Sequence, residues 1–179
     1  MKLSEKAFAI WSNALDRPVG MGLLASMIGA IGMGSALWIQ HMLKMEPCPL
    51  CIFQRVAMIF AGLAGLSGAL AWTVGWPKVA RAAWAVGVAG AVVGVGMAAR
   101  HMQVVWWPPE AGCGPDLEYL MEAFPATKWI PSVFAGEAEC SAAGNELVAG
   151  LPIPIWAGVA FMLQAAALGR AWLLAKRGS

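Results

Sequence analysis

The chain alternates between long apolar runs and short polar segments. Four of the runs are nearly free of charged residues, and the second is interrupted only by Arg55. Each run is close to the roughly 20 residues that a helix needs to cross the hydrocarbon core of a bilayer. The pattern therefore predicts an all-α membrane protein with a bundle of four transmembrane helices. The predicted spans are residues 19–40, 51–76, 82–100 and 153–173.

The composition points to the same class. Of the 179 residues, 60% are hydrophobic and 12% are charged, whereas about 25% of the residues of a soluble domain are charged. The first apolar run is longer than the roughly 7 to 15 residues of a signal-peptide core, so we expect it to be kept as a helix. We predict one membrane domain over residues 1–179. The net charge of +2, without a basic patch interleaved with aromatic residues, gives no reason to invoke nucleic acid.

Basic residues are concentrated at one end of the predicted bundle. Eight of the twelve lysines and arginines flank that end, and four lie on or near the other. Because lysine and arginine favour cytoplasmic loops, both termini are predicted to be cytoplasmic. Eight of the ten acidic residues and all four cysteines fall on the opposite side. We therefore expect the cysteines to face an oxidising compartment, where disulfides persist.

Two loops lie on the cysteine side. The first, at about residues 41–50, is short, and the second, at about residues 101–152, is long enough to be functional. Within the second loop, apolar residues at i, i+3, i+4 and i+7 predict a short amphipathic helix on the bilayer surface. These residues are Leu117, Leu120, Met121 and Phe124. The tryptophans expected in the headgroup layer are Trp106, Trp107, Trp129 and Trp156.

The cysteines carry the candidate chemistry. Cys48 and Cys51 form a C-x-x-C motif where a polar segment meets the second predicted span, and Cys113 and Cys140 lie in the long loop. Four cysteines allow three pairings, and the sequence does not choose among them, although proximity favours pairing within each of these two sets. Two such disulfides make a relay that passes two electrons inward through mixed disulfides. Two purely structural disulfides and a structural zinc site are the alternatives.

Such a relay needs a final electron acceptor. From a dithiol carrier at roughly −120 mV, transfer to glutathione at roughly −220 mV is uphill by about 5 kcal/mol. The chain has no C-x-x-C-H haem motif, no dinucleotide fingerprint and no iron–sulfur spacing. A quinone dissolved in the bilayer is therefore the acceptor that fits.

Two further residues are candidates for a quinone site. Arg55 lies four residues after Cys51, on the same face of a continuous helix. Its guanidinium would favour the Cys51 thiolate and hydrogen-bond a quinone oxygen that gains negative charge; a side chain that snorkels to the headgroups is the alternative. His101, at the cysteine-side end of the third predicted span, is a candidate for a quinone contact or proton delivery, and a solvated interfacial histidine is equally open. His41 is expected to be interfacial.

In these segments the chain resembles the disulfide bond formation protein B (DsbB) family of bacterial inner-membrane thiol oxidases. Similar segments occur in the same order, namely ALWIQH at 36–41, PCPLCIFQR at 47–55, KWIPSVF at 128–134 and IPIW at 153–156. This family's carrier, enzyme and quinone system is the known example of how a bacterial periplasm is kept oxidising. The chain departs from the family pattern at Arg100 and in residues 141–145, which lack an aromatic side chain.

The resemblance implies an inner-membrane enzyme that reoxidises a DsbA-like periplasmic carrier and reduces ubiquinone or menaquinone. It implies that Cys113 and Cys140 form the disulfide that accepts electrons, with Cys113 taking the mixed disulfide with the carrier. Cys140 would then attack Cys48, which faces outward. The quinone site that the resemblance implies consists of Cys51, Arg55 and His101.

Three other interpretations have distinct signatures. A paralogue would serve a dedicated partner carrier. An enzyme of the vitamin K epoxide reductase type would place its C-x-x-C after the loop pair, and here the order is reversed. A non-enzymatic membrane scaffold with stabilising disulfides would show no turnover.

Overall fold

A computed structural model describes residues 17–108, 113 and 138–177. In this part of the chain there are five helices and one short hairpin. They are α1 (Pro18–Met42), α2 (Pro49–Thr73), α3 (Pro77–Trp106), α4 (Cys140–Asn145), β1 (Leu147–Val148), β2 (Leu151–Pro152) and α5 (Ile153–Arg177). The four long helices, α1, α2, α3 and α5, are long and apolar enough to cross a membrane. The predicted fold class, an all-α membrane protein with four spanning helices, is confirmed.

The third helix is longer than its predicted span of residues 82–100. It begins at Pro77, because the fixed φ angle and missing N–H of proline suit the first position of a helix. It continues past the polar pair Arg100 and His101 to Trp106, and the Trp107 N–H still donates to the Gln103 carbonyl (2.9 Å). His101 therefore lies inside a helix. The amphipathic helix predicted around residues 117–124, and Trp129, lie outside the described residues.

The first two long helices also begin at prolines, and a glycine lies in the connection that follows the second. Pro18 and Pro49 occupy the first turns of α1 and α2. The connection between α2 and α3 passes through Gly75, whose φ of +85° is costly for any residue with a Cβ. Short connections of this kind make α1, α2 and α3 antiparallel neighbours.

The long helices pack as a ring in the order α1, α2, α3, α5. Small residues let the backbones touch: a Cβ built on Gly65 would lie 2.6 Å from the Gly22 carbonyl oxygen of α1. Ser26 of α1 donates to the Gly62 carbonyl of α2 (2.8 Å). Close backbone approach and interhelical hydrogen bonds are the main attractions available to helices surrounded by lipid.

Two groups of buried side chains fill the bundle. The larger contains Trp84, Phe161 and Leu168, all fully buried between α2, α3 and α5. The smaller lies at the end of the bundle that carries the cysteines, called here the outer end, and consists of Cys48, Leu50, Val104, Cys113 and Cys140. The outer end therefore has its own packed cluster, built around three of the four sulfurs.

One buried polar side chain joins three helices. Gln164 of α5 is fully buried, and its amide donates to the carbonyls of Ala25 in α1 (3.1 Å) and Met58 in α2 (3.4 Å). These bonds fix the position of α5 relative to the first two helices.

Candidate active site

The Cys48–Cys51 dithiol lies at the first turn of α2. Cys48 is the N-cap residue and accepts a hydrogen bond from the Cys51 N–H (3.4 Å), and the two sulfurs are 3.2 Å apart without a bond between them. Cys48 is fully buried, and the hydrogen bond that it donates to Cys51, together with its burial, raises the pKa of the Cys48 thiol. A thiol held in this way remains protonated and directs its S–H at the Cys51 sulfur, which favours negative charge on Cys51.

The loop cysteines form a disulfide. Cys113 is bonded to Cys140, the first residue of α4. Both are buried in the same cluster as Cys48. Of the three pairings that the sequence left open, this structure contains the loop pair, and it brings that pair against the dithiol at the outer end.

Cys48 packs against Cys140, the cysteine expected to attack it, and does not face solvent. Its side chain is fully buried, because Leu50, Val104 and Cys140 pack over it. The sulfur of Cys48 is reached through the loop disulfide, and Cys51, which is partly exposed, is the cysteine that meets open space.

Arg55 is held inside the bundle by α1. It is 7% exposed, its Nη1 donates to the Gln40 side-chain oxygen (2.7 Å), and its Nη2 lies 3.5 Å from the Ala36 carbonyl oxygen. A guanidinium that snorkelled to the headgroups would be exposed and would point away from these partners. The charge is instead fixed one turn below Cys51, as the spacing predicted.

A cavity of about 1010 Å³ opens between α1, α2 and α5. Cys51, Gln54 and Arg55 supply polar groups on its α2 wall, and the rest of its membrane-embedded lining is mainly apolar. Two lining residues, Ile31 and Leu163, are more than half exposed on the outside of the bundle, so the cavity reaches the surface that lipid covers. An apolar cavity of this size with a few converging polar groups is typical of a site for a small organic molecule.

His101 lies on the other side of the dithiol. It is fully buried, with its Nε2 3.0 Å from the Cys140 carbonyl oxygen and 3.7 Å from the Cys48 sulfur, and its Nδ1 3.5 Å from the Gln54 amide nitrogen. The interpretation of His101 as a solvated interfacial histidine is therefore wrong. His101 is not among the described residues that line the cavity, so its predicted contact with a quinone stays a prediction. His41 is exposed, as expected for an interfacial residue.

Three of these groups are close enough to share a metal ion. The sulfurs of Cys48 and Cys51 and a ring nitrogen of His101 lie within 4.8 Å of one another. However, the His101 Nε2, the nitrogen nearest Cys48, is already hydrogen-bonded to the Cys140 carbonyl. A metal ion would have to break that bond, so the arrangement is first of all a hydrogen-bonded dithiol.

The sequence reasoning missed two glutamines. Gln40 holds Arg55, and Gln54 contacts His101 and also lines the cavity. Both are polar residues in or next to apolar runs, which is the signal that marks functional positions within a membrane. That signal singles them out but does not say which partner each one meets.

Comparison with known proteins agrees with a multi-pass membrane protein built around redox cysteines. Residues 18–171 match the family described as "Disulfide bond formation protein DsbB". The chain is 34% identical over 163 residues to disulfide bond formation protein B of Acidovorax sp. (strain JS42), with 88% of each chain covered. It is 36% identical over 161 residues to the protein of that name from Aromatoleum aromaticum, covering 89% of this chain and 92% of the relative.

A third relative, disulfide bond formation protein B of Acinetobacter baumannii, is 36% identical over 146 residues, covering 80% of this chain and 82% of the relative. The family match covers α1, α2 and α3 in full and most of α5, and it includes all four cysteines. The chain belongs to the DsbB family of membrane proteins that form disulfide bonds.

Proposed function

We propose that this protein is a protein-disulfide:quinone oxidoreductase of the bacterial inner membrane. It reoxidises a periplasmic dithiol carrier of the DsbA type and passes the electrons to membrane ubiquinone or menaquinone. The observation that carries the proposal is the position of Cys51, whose side chain lies on the wall of an apolar cavity that reaches the lipid-facing surface. A dithiol that opens into the lipid phase is suited to an electron acceptor that arrives from the lipid phase.

The electron path runs through two disulfides. The carrier's thiolate attacks Cys113, the Cys113–Cys140 bond breaks, and the carrier leaves as a disulfide once its second thiol has attacked. The Cys140 thiolate then attacks Cys48 of an oxidised Cys48–Cys51 pair, and Cys51 departs as the thiolate. Attack of Cys113 on Cys140 restores the loop disulfide and leaves the Cys48–Cys51 dithiol holding two electrons. A quinone in the cavity would accept these two electrons together with two protons.

Arg55 and Gln40 prepare the cavity for developing negative charge. Arg55 follows Cys51 by one helical turn and lines the same cavity, and Gln40 of α1 fixes the direction of its guanidinium. A fixed cation in surroundings of low dielectric stabilises a thiolate and a reduced oxygen more strongly than it would in water. The residues proposed to hold the quinone are therefore Cys51 and Arg55, with Gln40 orienting Arg55, and the resemblance to the family adds His101.

The proposed orientation places the cysteines in the periplasm and both termini in the cytoplasm. At the end of the bundle away from the cysteines lie Arg17, Lys78, Arg81, Arg170, Lys176 and Arg177. The predominance of basic residues there supports a cytoplasmic location for that end.

The experiment that tests the function is turnover with purified protein in detergent. Reduced DsbA-type carrier and a short-chain ubiquinone analogue are mixed, and the quinone absorbance is followed for wild type, Cys51→Ser and Gly96→Ala. A methyl group added at Gly96 would meet no atom within 4 Å, so this variant is a control for a substitution in the bundle that leaves the packing unchanged. We expect turnover in the wild type and the control and none in Cys51→Ser. An unchanged quinone signal in the wild type would reject the enzyme in favour of a scaffold.

A further inference from the structure

The segment that carries Cys140 is fastened to the dithiol by two hydrogen bonds. The His101 Nε2 lies 3.0 Å from the Cys140 carbonyl oxygen, and the Ala138 N–H donates to the carbonyl of Pro47 (3.4 Å), the residue before Cys48. Both bonds join the loop segment to residues next to the sulfur that it is proposed to attack. They fix the backbone at Cys140 and next to Cys48, the two cysteines of the proposed exchange.

A glycine makes this close packing possible. A Cβ built on Gly144 of α4 would lie 2.6 Å from the His101 Nε2 and 2.5 Å from a methyl carbon of Val105. Real Cβ atoms do not approach other atoms so closely, so any side chain at residue 144 would push α4 away from α3. Gly144 is thus the residue that lets the backbone of α4 rest on the imidazole.

The hydrogen-bond partners of His101 define its tautomer. A carbonyl oxygen only accepts, so the Nε2 that lies 3.0 Å from Cys140 carries the proton. The Nδ1 then acts as an acceptor, and the Gln54 amide nitrogen, 3.5 Å away, is the matching donor. Gln54 therefore favours the neutral ring whose Nε2–H points at Cys140. The same N–H lies 3.7 Å from the Cys48 sulfur.

We propose that His101, oriented by Gln54 and packed against Gly144, is a positioning residue for disulfide exchange between Cys140 and Cys48. This inference rests on the proposed function and assigns His101 to the step between the two cysteine pairs. The step that reduces the acceptor takes place across the dithiol, at the cavity, whose described lining contains Cys51 and lacks His101.

The exchange is balanced within the chain. The Cys140 thiolate attacks the Cys48 sulfur, the Cys48–Cys51 bond breaks, the Cys48–Cys140 bond forms, and the electron pair leaves on Cys51. Cys113 then attacks Cys140, and Cys48 departs as the thiolate. The Nε2–H of the neutral imidazole stabilises this leaving sulfur by a hydrogen bond and keeps its proton. Holding the Cys140 carbonyl keeps the attacking sulfur of Cys140 beside the Cys48 sulfur that it attacks, which raises the local concentration of one for the other.

The test measures this local concentration without carrier or quinone. In protein with Cys51→Ser and Cys113→Ser, only Cys48 and Cys140 remain, and their disulfide is titrated in glutathione buffers and quantified after alkylation with a heavy maleimide. The resulting effective concentration is compared for Gly144→Ala, His101→Leu, His101→Gln and the control Gly96→Ala. Glutamine at residue 101 keeps a donor near the Nε2 position, and leucine does not.

We expect Gly144→Ala and His101→Leu to lower the effective concentration by about fivefold or more, the loss typical of one hydrogen bond. We expect His101→Gln and Gly96→Ala to stay within about twofold of the parent, which is less than the loss of one hydrogen bond. In protein with Cys113→Ser and Cys140→Ser, the same titration reports the Cys48–Cys51 pair, which Gly144→Ala should leave unchanged.

Two results would overturn the inference. One is an unchanged Cys48–Cys140 equilibrium in both Gly144→Ala and His101→Leu. The other is an equal loss in the two disulfide equilibria for Gly144→Ala, which would indicate general damage to the outer end. Because neither titration contains a quinone, a failure of quinone turnover would reject the proposed function and leave this measurement standing.

Discussion

The two cysteines of the motif differ because of where α2 begins. Cys48 caps the helix, is buried beneath the loop disulfide and has a raised pKa, whereas Cys51 is one turn into the helix and opens on the cavity. The S–H of Cys48 points at Cys51, so negative charge is directed to the sulfur that meets the lipid phase. One motif therefore provides a protein-facing sulfur and a membrane-facing sulfur.

Gln40 is predicted to act through Arg55. Replacing Gln40 by leucine keeps the charge but removes the 2.7 Å hydrogen bond that fixes the guanidinium. Since a hydrogen bond to a charged group contributes about 1.5–3 kcal/mol, we expect Gln40→Leu to raise the quinone KM by about tenfold or more. Steady-state kinetics with the quinone analogue measures this change in KM.

The matched control for Gln40→Leu is Gln103→Leu. Gln103 accepts a hydrogen bond from Arg100 (2.9 Å), in the same kind of arginine–glutamine pair, but on the exposed surface of α3. We expect the quinone KM of Gln103→Leu to match that of the wild type. Equal effects of the two substitutions would show that the buried pair has no special role at the cavity.

For single residues, the sequence predicted positions along a helix better than partners between helices. The spacing of Arg55 from Cys51 follows from the helical repeat alone, and the structure retains it. The partners of Gln40, Gln54 and His101 depend on how far each helix is rotated about its axis. No short-range pattern in the sequence determines that rotation. The sequence was therefore compatible with a solvated interfacial His101, whereas the structure places His101 between Cys48 and Cys140.

Prolines mark where three of the long helices begin, and contacts between small residues determine how closely the helices pack. Four spans were predictable because an apolar run of about 20 residues has few alternatives to a membrane helix. The end of α3 was not, since Arg100 and His101 end the apolar run but leave the backbone hydrogen bonds of the helix intact. The disulfide between Cys113 and Cys140 could be assigned only from the three-dimensional structure, because spacing alone allowed other pairings.

Gly65→Ala is predicted to destabilise the contact between α1 and α2. The added methyl group would meet the Gly22 carbonyl oxygen at 2.6 Å, and a backbone atom cannot move aside by changing rotamer. Overpacking of this kind costs about 1–3 kcal/mol. Unfolding in detergent mixtures measures the loss, with Gly96→Ala as the control, because a methyl group at residue 96 meets nothing within 4 Å. Equal stability of the two variants would contradict the described packing.

In the whole molecule, the two ends of the bundle differ in charge and in the position of the cysteines. All the described cysteines are at the outer end, and the basic residues collect at the other. This division predicts the orientation in the membrane, which the fold by itself does not determine.

A pair of single-cysteine variants tests the orientation in a background without native cysteines. Leu147 and Trp76 are about equally exposed, at 59% and 61%, and lie at opposite ends of the bundle. In spheroplasts, a maleimide that does not cross membranes should label Leu147→Cys at once and Trp76→Cys only after permeabilisation. The reverse pattern would place the cysteines in the cytoplasm and reject the periplasmic relay.

The proposed electron path is tested most sharply by the ratio of thiols oxidised to quinone reduced, measured without oxygen. Catalytic amounts of the protein are mixed with excess reduced carrier and a limiting amount of ubiquinone analogue, and carrier thiols and quinone are counted at completion. If the dithiol at the cavity passes electron pairs to the quinone, two carrier thiols disappear for each quinone reduced, and Cys51→Ser gives neither change. Loss of carrier thiols while the quinone stays oxidised, or quinone reduction that persists in Cys51→Ser, would contradict this path.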